Sequence, residues 1–220
     1  MSSNELILKN TALVAEMLLK INAVKLNVKE PFTWVSGIKS PIYCDNRVIN
    51  SDVEVRNKVL NCFLELIKQK FENIEIIAGV ATGGIPMGVL IADRLNLPFV
   101  YVRQESKKHG MMKQVEGNFS ENQRVILIED HISTGGSSLI AYNALKQADL
   151  NVQGIISVMT YGFDKSKKLF NENNVNFYSL CNLDAVLDTA LSKGMISEDE
   201  KYSILTFRNS PDTWGNNVSD

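Results

Sequence analysis

Residues 124–138 read Arg-Val-Ile-Leu-Ile-Glu-Asp-His-Ile-Ser-Thr-Gly-Gly-Ser-Ser, and this stretch decides the fold. Its apolar run at 125–128 predicts a strand that is buried on both faces of a parallel sheet. Two acids, Glu129 and Asp130, end the predicted strand, and a loop of hydroxyl residues and glycines leads into a helical pattern. Ligands of open α/β sheets bind beyond the carboxyl ends of the strands, so this order predicts a ligand site.

The loop at 133–137 has the groups that a phosphate needs. Its glycines let the backbone approach closely, its hydroxyl groups are donors, and a helix start offers unpaired N–H groups. The carboxylates of Glu129 and Asp130 can accept hydrogen bonds from sugar hydroxyls. Acid pair and loop together predict a ribose 5-phosphate site. A plain strand-to-helix turn is the alternative, but the complete order of strand, acids, loop and helix favours the site. Neither a P-loop nor a dinucleotide fingerprint is present.

Strand and helix patterns alternate along the middle of the chain. This alternation predicts an α/β fold with a doubly wound, mostly parallel sheet flanked by helices. The predicted strands are 74–81, 99–103, 124–130, 152–160 and 175–180. The predicted helices are an N-terminal one, then 53–72, 86–95, 137–148, 164–173 and 182–193, with a further helix start at 197–200.

The composition is that of an ordinary globular protein, with 45% hydrophobic residues, 22% charged residues and a formal net charge of −2. We expect one domain over residues 1–220, with a core at roughly 51–180 and a hood at roughly 1–50 plus C-terminal elements. Nothing favours nucleic-acid or membrane binding. The cysteines, Cys44, Cys62 and Cys181, are odd in number and widely spaced, which argues against structural zinc and favours a reducing, cytoplasmic location.

Two further loops follow strand ends. The 104–120 segment is long for such a fold and carries Lys107, Lys108, His109 and Lys113, so we interpret it as a cationic lid over the phosphate loop. A solvated basic loop is the alternative. Thr82-Gly83-Gly84 offers backbone N–H groups for a pyrophosphate, although a tight turn explains the same residues.

Three segments resemble the type I phosphoribosyltransferases, and in particular their orotate-specific branch. Residues 32–41, Phe-Thr-Trp-Val-Ser-Gly-Ile-Lys-Ser-Pro, are similar to its hood segment. The pattern Arg103-x-x-x-Lys107-x-His109-Gly110, with Val-Glu-Gly at 115–117, is similar to its catalytic loop. Residues 129–137 resemble the ribose-phosphate motif that the wider fold family shares. The resemblance covers nearly the whole chain.

The resemblance implies transfer of ribose 5-phosphate from phosphoribosyl pyrophosphate to N1 of orotate. The products would be orotidine 5′-monophosphate and pyrophosphate, in de novo pyrimidine synthesis. It also implies Mg²⁺ as a cofactor, held mainly by substrate oxygens and water and with no direct protein ligand assigned. The expected assembly is a homodimer in which loop 104–118 of one subunit reaches the neighbouring active site.

The resemblance assigns roles by position. The catalytic residues would be Arg103, Lys107, His109 and Asp130, and Ser133 would contact orotate. The residues expected to bind phosphoribosyl pyrophosphate are Thr82, Gly83, Arg103, Lys107, His109, Glu129, Asp130, His131, Ile132, Ser133, Thr134, Gly135, Gly136 and Ser137. We interpret the ring of His131 itself as structural or incidental, because it lies between the acids and the phosphate loop.

Four positions depart from the best-known enterobacterial members. Val35, Gly83 and Gln104 stand where those members have lysines, and Tyr161 stands where they have an orotate-contacting arginine. We interpret these changes as variation within the family, and what replaces the missing cations stays open. The rival functions are a purine phosphoribosyltransferase and a non-catalytic regulator that senses phosphoribosyl pyrophosphate. A regulator would need an added nucleic-acid-binding domain, for which the chain has no spare segment.

Overall fold

The structure, a computed structural model, describes residues 3–34, 36–104 and 114–214, with side chains from residue 9 onward. A six-stranded sheet lies at its centre. Its strands are β5 (Ile76–Val80), β6 (Phe99–Val102), β7 (Val115–Glu116), β8 (Arg124–Ile132), β9 (Asn151–Thr160) and β10 (Phe177–Asn182). Their order is β10–β9–β8–β5–β6–β7, and all neighbours are parallel except the pair β6 and β7. This confirms the predicted doubly wound, mostly parallel sheet.

Helices cover both faces of the sheet. They are α1 (Ser3–Lys20), α2 (Val53–Lys70), α3 (Gly84–Leu95), α4 (Gly136–Gln147), α5 (Asp164–Glu172), α6 (Leu183–Ser192) and α7 (Glu198–Asn209). Two clusters of buried apolar side chains lie on opposite sides of β8, one with Ile126 and Ile128 and the other with Val125 and Leu127. Strand side chains alternate between faces, so the continuous apolar run in β8 reflects burial on both sides.

Local signals end or start several helices as the sequence indicates. Asp52 caps α2 by accepting from the backbone N–H of Val55 at 2.9 Å. Ser197 and Glu200 form a reciprocal capping box at the start of α7, the helix start predicted at 197–200. None of the helices that the structure describes combines the length and the apolar character needed to span a bilayer.

A small hood stands beside the sheet. It consists of β1 (Val24–Leu26), β2 (Phe32–Thr33), β3 (Lys39–Ser40), β4 (Ile42–Cys44) and a short 3₁₀-helix (Asn46–Ser51). The antiparallel pairs are β1 with β4 and β2 with β3. Ala23, Val24 and Ile42 join the same buried cluster as α1 and α2, so the hood is packed onto the core.

The structure differs from the predicted elements at three places. Strand β8 does not end at the acid pair but continues to Ile132, because β9 pairs with it as far as Thr160. The segment predicted as a loop contains β7, which adds to the sheet edge through pairing with β6. Strand β10 spans Phe177–Asn182 rather than 175–180.

Candidate active site

A cavity of about 420 Å³ lies at the carboxyl ends of the central strands. Three parts of the chain contribute to it: the end of the hood, the ends of β5 and β6, and the segment from β8 into α4. Its lining residues are Cys44, Asp45, Arg47, Ala81, Thr82, Gly83, Gln104, Glu129, Asp130, His131, Ile132, Ser133, Gly135, Ser137 and Ser138. The structure therefore brings the acid pair, the hydroxyl-glycine loop and the Thr82–Gly83 loop to one place.

Glu129 is held deep in the wall of this cavity. Its side chain is buried, with 6% of the residue exposed. The hydroxyl of Ser138 in α4 donates to Oε2 at 3.0 Å, and the backbone N–H of Asp130 donates to Oε1 at 3.1 Å. Burial, assisted by the neighbouring charge of Asp130, raises the pKa of Glu129 to about 8. At neutral pH this carboxyl therefore holds its proton and can both donate to and accept from a sugar hydroxyl.

Asp130 has a different environment although it is the next residue. The backbone N–H of His131 donates to its Oδ1 at 2.7 Å. The ring Nδ1 of His131 lies 3.2 Å from the same oxygen, in an alignment that is not that of a hydrogen bond. Burial alone would raise the pKa of Asp130, but its contacts with His131 and with Glu129 outweigh burial and hold the pKa below the ordinary value. The pair thus offers one protonated and one ionised carboxyl.

The position of Gly83 depends on Asp130. A Cβ built on Gly83 would overlap the Oδ2 and Cγ atoms of Asp130. A side chain at residue 83 would therefore displace the carboxylate that faces it. This contact gives a physical reason for glycine at residue 83.

The loop from β8 into α4 has the form of an anion cradle. Gly135 has φ +82°, and a Cβ there would lie 2.9 Å from the ring of Phe170, so glycine is required on both counts. Ser133, Gly135 and Ser137 line the cavity, whereas Thr134 and Gly136 are exposed and do not. The Ile132 side chain is buried in the core. Free N–H groups at the start of α4 and the serine hydroxyls suit a phosphate monoester.

The loop residues predicted to act on the leaving group are only partly described. Arg103 directly follows β6 and pairs with Glu116 of β7 at 3.6 Å, and it is not among the residues that line the cavity. Gln104, the next residue, does line it. Lys107, Lys108, His109 and Lys113 lie outside the described residues, so their predicted roles stay predictions.

The hood supplies one wall of the cavity, which the sequence did not predict. Asp45 and Arg47 follow β4 and line the cavity. Asn46 lies between them and donates from Nδ2 to the backbone oxygen of Asp130 at 2.8 Å, which ties the hood to the end of β8. The signal in the sequence was the pair of oppositely charged residues at 45 and 47, directly after the apolar stretch Ile-Tyr-Cys.

Tyr161 lies behind this wall. It is 3% exposed, its ring is stacked on Phe163 with centroids 5.5 Å apart, and it meets Trp34 edge-on. Burial raises the pKa of Tyr161 well above its ordinary value, so the hydroxyl is neutral. Tyr161 therefore supplies no cation. Val35, the other hood position of interest, lies outside the described residues.

Comparison with known families gives a consistent result. The model of the phosphoribosyl transferase domain matches residues 54–187, which span α2 to α6. An orotate phosphoribosyltransferase of Listeria innocua is 46% identical over 202 residues, covering 92% of this chain and 97% of the relative. The orotate phosphoribosyltransferase of Bacillus subtilis is also 46% identical, over 201 residues, covering 91% of this chain and 93% of the relative.

A solved structure agrees. The crystal structure of orotate phosphoribosyltransferase from Aeropyrum pernix has a TM-score of 0.73 with this chain at 29% identity, covering 84% of this chain and 99% of that one. The similarity extends beyond the residues that the domain model matches, so it includes part of the hood or of the C-terminal elements.

Proposed function

The chain belongs to the orotate phosphoribosyltransferase family, and from this we infer that it transfers ribose 5-phosphate from phosphoribosyl pyrophosphate to N1 of orotate. The products are orotidine 5′-monophosphate and pyrophosphate, which places the enzyme in pyrimidine synthesis. One observation carries the inference. The acid pair at the end of β8, the cradle at the start of α4 and the Thr82–Gly83 loop line one cavity.

Each part of the cavity has a role in this reaction. The cradle at 133–137 binds the 5′-phosphate, and Ser133 also contacts orotate. Glu129 and Asp130 bind the ribose hydroxyls, with the protonated Glu129 held by Ser138. The backbone of Thr82 and Gly83 faces the diphosphate. Breaking the bond from C1 leaves positive charge on the sugar and negative charge on the diphosphate, so the chain must stabilise the anion where it forms.

We propose that Mg²⁺ is bound together with the diphosphate. Among the described residues, no cluster of three or more His, Cys, Asp or Glu side chains could hold a metal ion by itself. With Asp45 paired to Arg47 and Glu129 protonated, the ionised carboxylate of Asp130 is left among the described lining residues without a permanent cation of its own, which suits an added cation. Asp130, water and substrate oxygens would hold the ion, whose chemistry is charge neutralisation of the leaving group.

We also propose that loop 104–118 acts across a homodimer. Arg103 and β7 hold the two ends of the loop at the edge of the sheet. Lys107 supplies positive charge to the leaving diphosphate, and His109 supplies a proton or a hydrogen bond. Closure of the loop excludes water, which would otherwise capture the activated ribose. The cytoplasm is the compartment we propose, because Cys44, Cys62 and Cys181 are free and buried.

The test of the reaction is spectroscopic. Purified protein with phosphoribosyl pyrophosphate and Mg²⁺ should remove the absorbance of orotate and release one pyrophosphate for each orotate consumed. Adenine, guanine and uracil in place of orotate should give far slower turnover. Absence of orotate-dependent pyrophosphate release would reject the function, and preferred use of adenine or guanine would assign a purine enzyme instead.

The test of the dimer uses two inactive variants. Lys107→Ala keeps an intact cavity, and Asp130→Asn keeps an intact loop. If the loop acts on the neighbouring cavity, subunits mixed and reassociated should recover about a quarter of the native activity, because each mixed dimer contains one complete site. No recovery in dimers shown to have exchanged subunits would place the loop over its own cavity.

A further inference from the structure

Arg47 is a cation at the hood side of the cavity to which the proposed function gives no role. It lies in the first turn of the 3₁₀-helix Asn46–Ser51, directly after β4. Its side chain is 64% exposed, and the residue lines the cavity. Among the described lining residues, it is the one side chain whose positive charge does not depend on pH.

The geometry of Arg47 leaves half of its binding capacity open. Its Nε and Nη2 atoms donate to Oδ1 and Oδ2 of Asp45 at 2.6 and 2.8 Å, which is a two-point contact along one edge of the guanidinium. This contact raises the pKa of Arg47 and lowers that of Asp45. The other edge, formed by Nη1 and the second hydrogen of Nη2, has no partner in the part of the chain that the structure describes. A guanidinium edge of this kind fits a second carboxylate.

The stability of the fold does not explain the pair. Exposed ion pairs contribute about 0–1 kcal/mol, and here both side chains lie at a cavity rim rather than in the core. Asp45 holds the guanidinium in a fixed orientation, so a ligand would meet an oriented guanidinium edge rather than a freely rotating side chain.

The charges of the substrates show what the open edge can receive. The 5′-phosphate has the start of α4, and the diphosphate has the Thr82–Gly83 backbone, Mg²⁺ and the cationic loop. The carboxylate of orotate has no cationic partner among these groups, and Tyr161 is buried and neutral. We propose that the open edge of Arg47 binds the orotate carboxylate and that this contact selects orotate over pyrimidines that lack the group. The proposal rests on the proposed function and names a specificity residue of the same site.

The experiment compares Arg47→Gln and Arg47→Lys with the matched control Lys25→Gln. Lys25 is an exposed cation of β1 in the same hood, outside the cavity. At saturating phosphoribosyl pyrophosphate and Mg²⁺, Arg47→Gln should raise the KM for orotate about tenfold to a hundredfold, as expected for loss of a charge-assisted contact. The KM for orotate of Arg47→Lys should lie between those of the native protein and Arg47→Gln, since lysine keeps the charge but lacks the planar guanidinium that makes two-point contacts. The KM for phosphoribosyl pyrophosphate should change less than about twofold, within the scatter of surface substitutions.

A second measurement separates selectivity from general damage. The slow reaction with uracil, which has the same ring without the carboxylate, should be unaffected by Arg47→Gln, so that the orotate-to-uracil ratio of kcat/KM falls. Equal orotate KM values in Arg47→Gln and Lys25→Gln would overturn the proposal. A raised KM for phosphoribosyl pyrophosphate, or weakened inhibition by pyrophosphate, with orotate KM unchanged would overturn it in favour of a diphosphate contact. Failure of the native enzyme to use orotate would instead reject the proposed function.

Discussion

The two walls of the cavity are built in different ways. The wall from β8 consists of groups that the fold already holds: Glu129 is 6% exposed, and its carboxyl oxygens are bound by Ser138 and by the Asp130 backbone. The hood wall presents Arg47, which is 64% exposed and held by Asp45 alone among the described residues. We infer from this difference that the proposed ribose phosphate would meet groups that the sheet already holds in place, whereas the hood offers an exposed cation that a ligand can engage.

The two walls share one deficiency. Both contain carboxyl groups, Asp45 in the hood wall and Glu129 and Asp130 in the β8 wall, yet the proposed substrates are themselves anions. With Asp45 neutralised by Arg47, the described lining has no further permanent cation to meet a departing diphosphate. Besides the proposed Mg²⁺, the chain itself must therefore supply positive charge from a third source, and the predicted source is the loop.

The largest expected effect tests this third source. Lys107→Ala should lower kcat at least about a hundredfold, judged from losses of single groups that stabilise developing charge. Turnover should be measured with saturating substrates, and Lys68→Ala, an exposed lysine on α2, serves as the control. Near-normal turnover of a folded Lys107→Ala protein would show that Lys107 does not supply the charge, which would then come from another cation of the loop, from Mg²⁺ or from one of the two walls.

The next effect tests the buried environment of Glu129 in the β8 wall through the pH dependence of stability. The pKa of Glu129 is raised in the folded protein to about 8 from an ordinary 4.5, so the folded state binds the proton more tightly than the unfolded chain. The stabilisation is complete below the unfolded pKa and is lost as pH rises through the folded pKa. We expect the native protein to lose unfolding free energy on the order of 3 kcal/mol between pH 5 and 8 through this group.

Glu129→Gln isolates this contribution because glutamine has the same shape and does not titrate. Urea unfolding of the variant should show a weaker fall in stability between pH 5 and 8 than the native protein shows. Parallel pH profiles of the two proteins would mean that Glu129 is ionised and solvated, and the β8 wall would then be no more preorganised than the hood.

A smaller effect tests the joint between the walls. Asn46 is buried and donates to the backbone oxygen of Asp130 at 2.8 Å. Asn46→Ala would leave that oxygen without its partner, which should cost about 1–2 kcal/mol of unfolding free energy. Thermal unfolding measures the loss, and Asn171→Ala on the exposed face of α5 is the control. Equal Tm shifts in the two variants would show that the hood is not anchored through Asn46.

The contrast between the walls also explains what the sequence could predict. The β8 wall is local in the chain: an apolar run, two acids, two glycines and a helix follow within fifteen residues, so their order identifies the cradle. The hood wall depends on contacts over a long sequence separation. Asn46 meets Asp130 across 84 positions, and no periodic pattern announces that contact.

The strand ends were misjudged for a related physical reason. Glu129 and Asp130 suggested that the strand ends at residue 130, but pairing with β9 carries β8 two residues further, to Ile132. Strand β7 exists because β6 offers an edge, and its two residues have no strand pattern of their own. Partner strands decide such boundaries, and a partner cannot be read from the segment itself.

The smallest expected effect concerns His131, which lies between the acid pair and the cradle. Its backbone N–H, and not its ring, makes the 2.7 Å hydrogen bond to Asp130. Isoleucine keeps this N–H, so His131→Ile should change turnover at pH 8 by no more than about threefold, which is under 1 kcal/mol. The ring contact contributes to the lowered pKa of Asp130, so any loss should grow only as pH falls toward the ordinary pKa of an aspartate.

The pH profile therefore distinguishes a structural ring from a catalytic one. A structural His131 leaves the neutral and alkaline parts of the kcat profile of His131→Ile superimposable on those of the native enzyme. A collapse of turnover at pH 8 would show that the imidazole takes part in the reaction. In that case His131 of the β8 wall, like Arg47 of the hood, would act only when substrate is bound. The two walls would then differ only in how many of their groups are held in place before substrate binds.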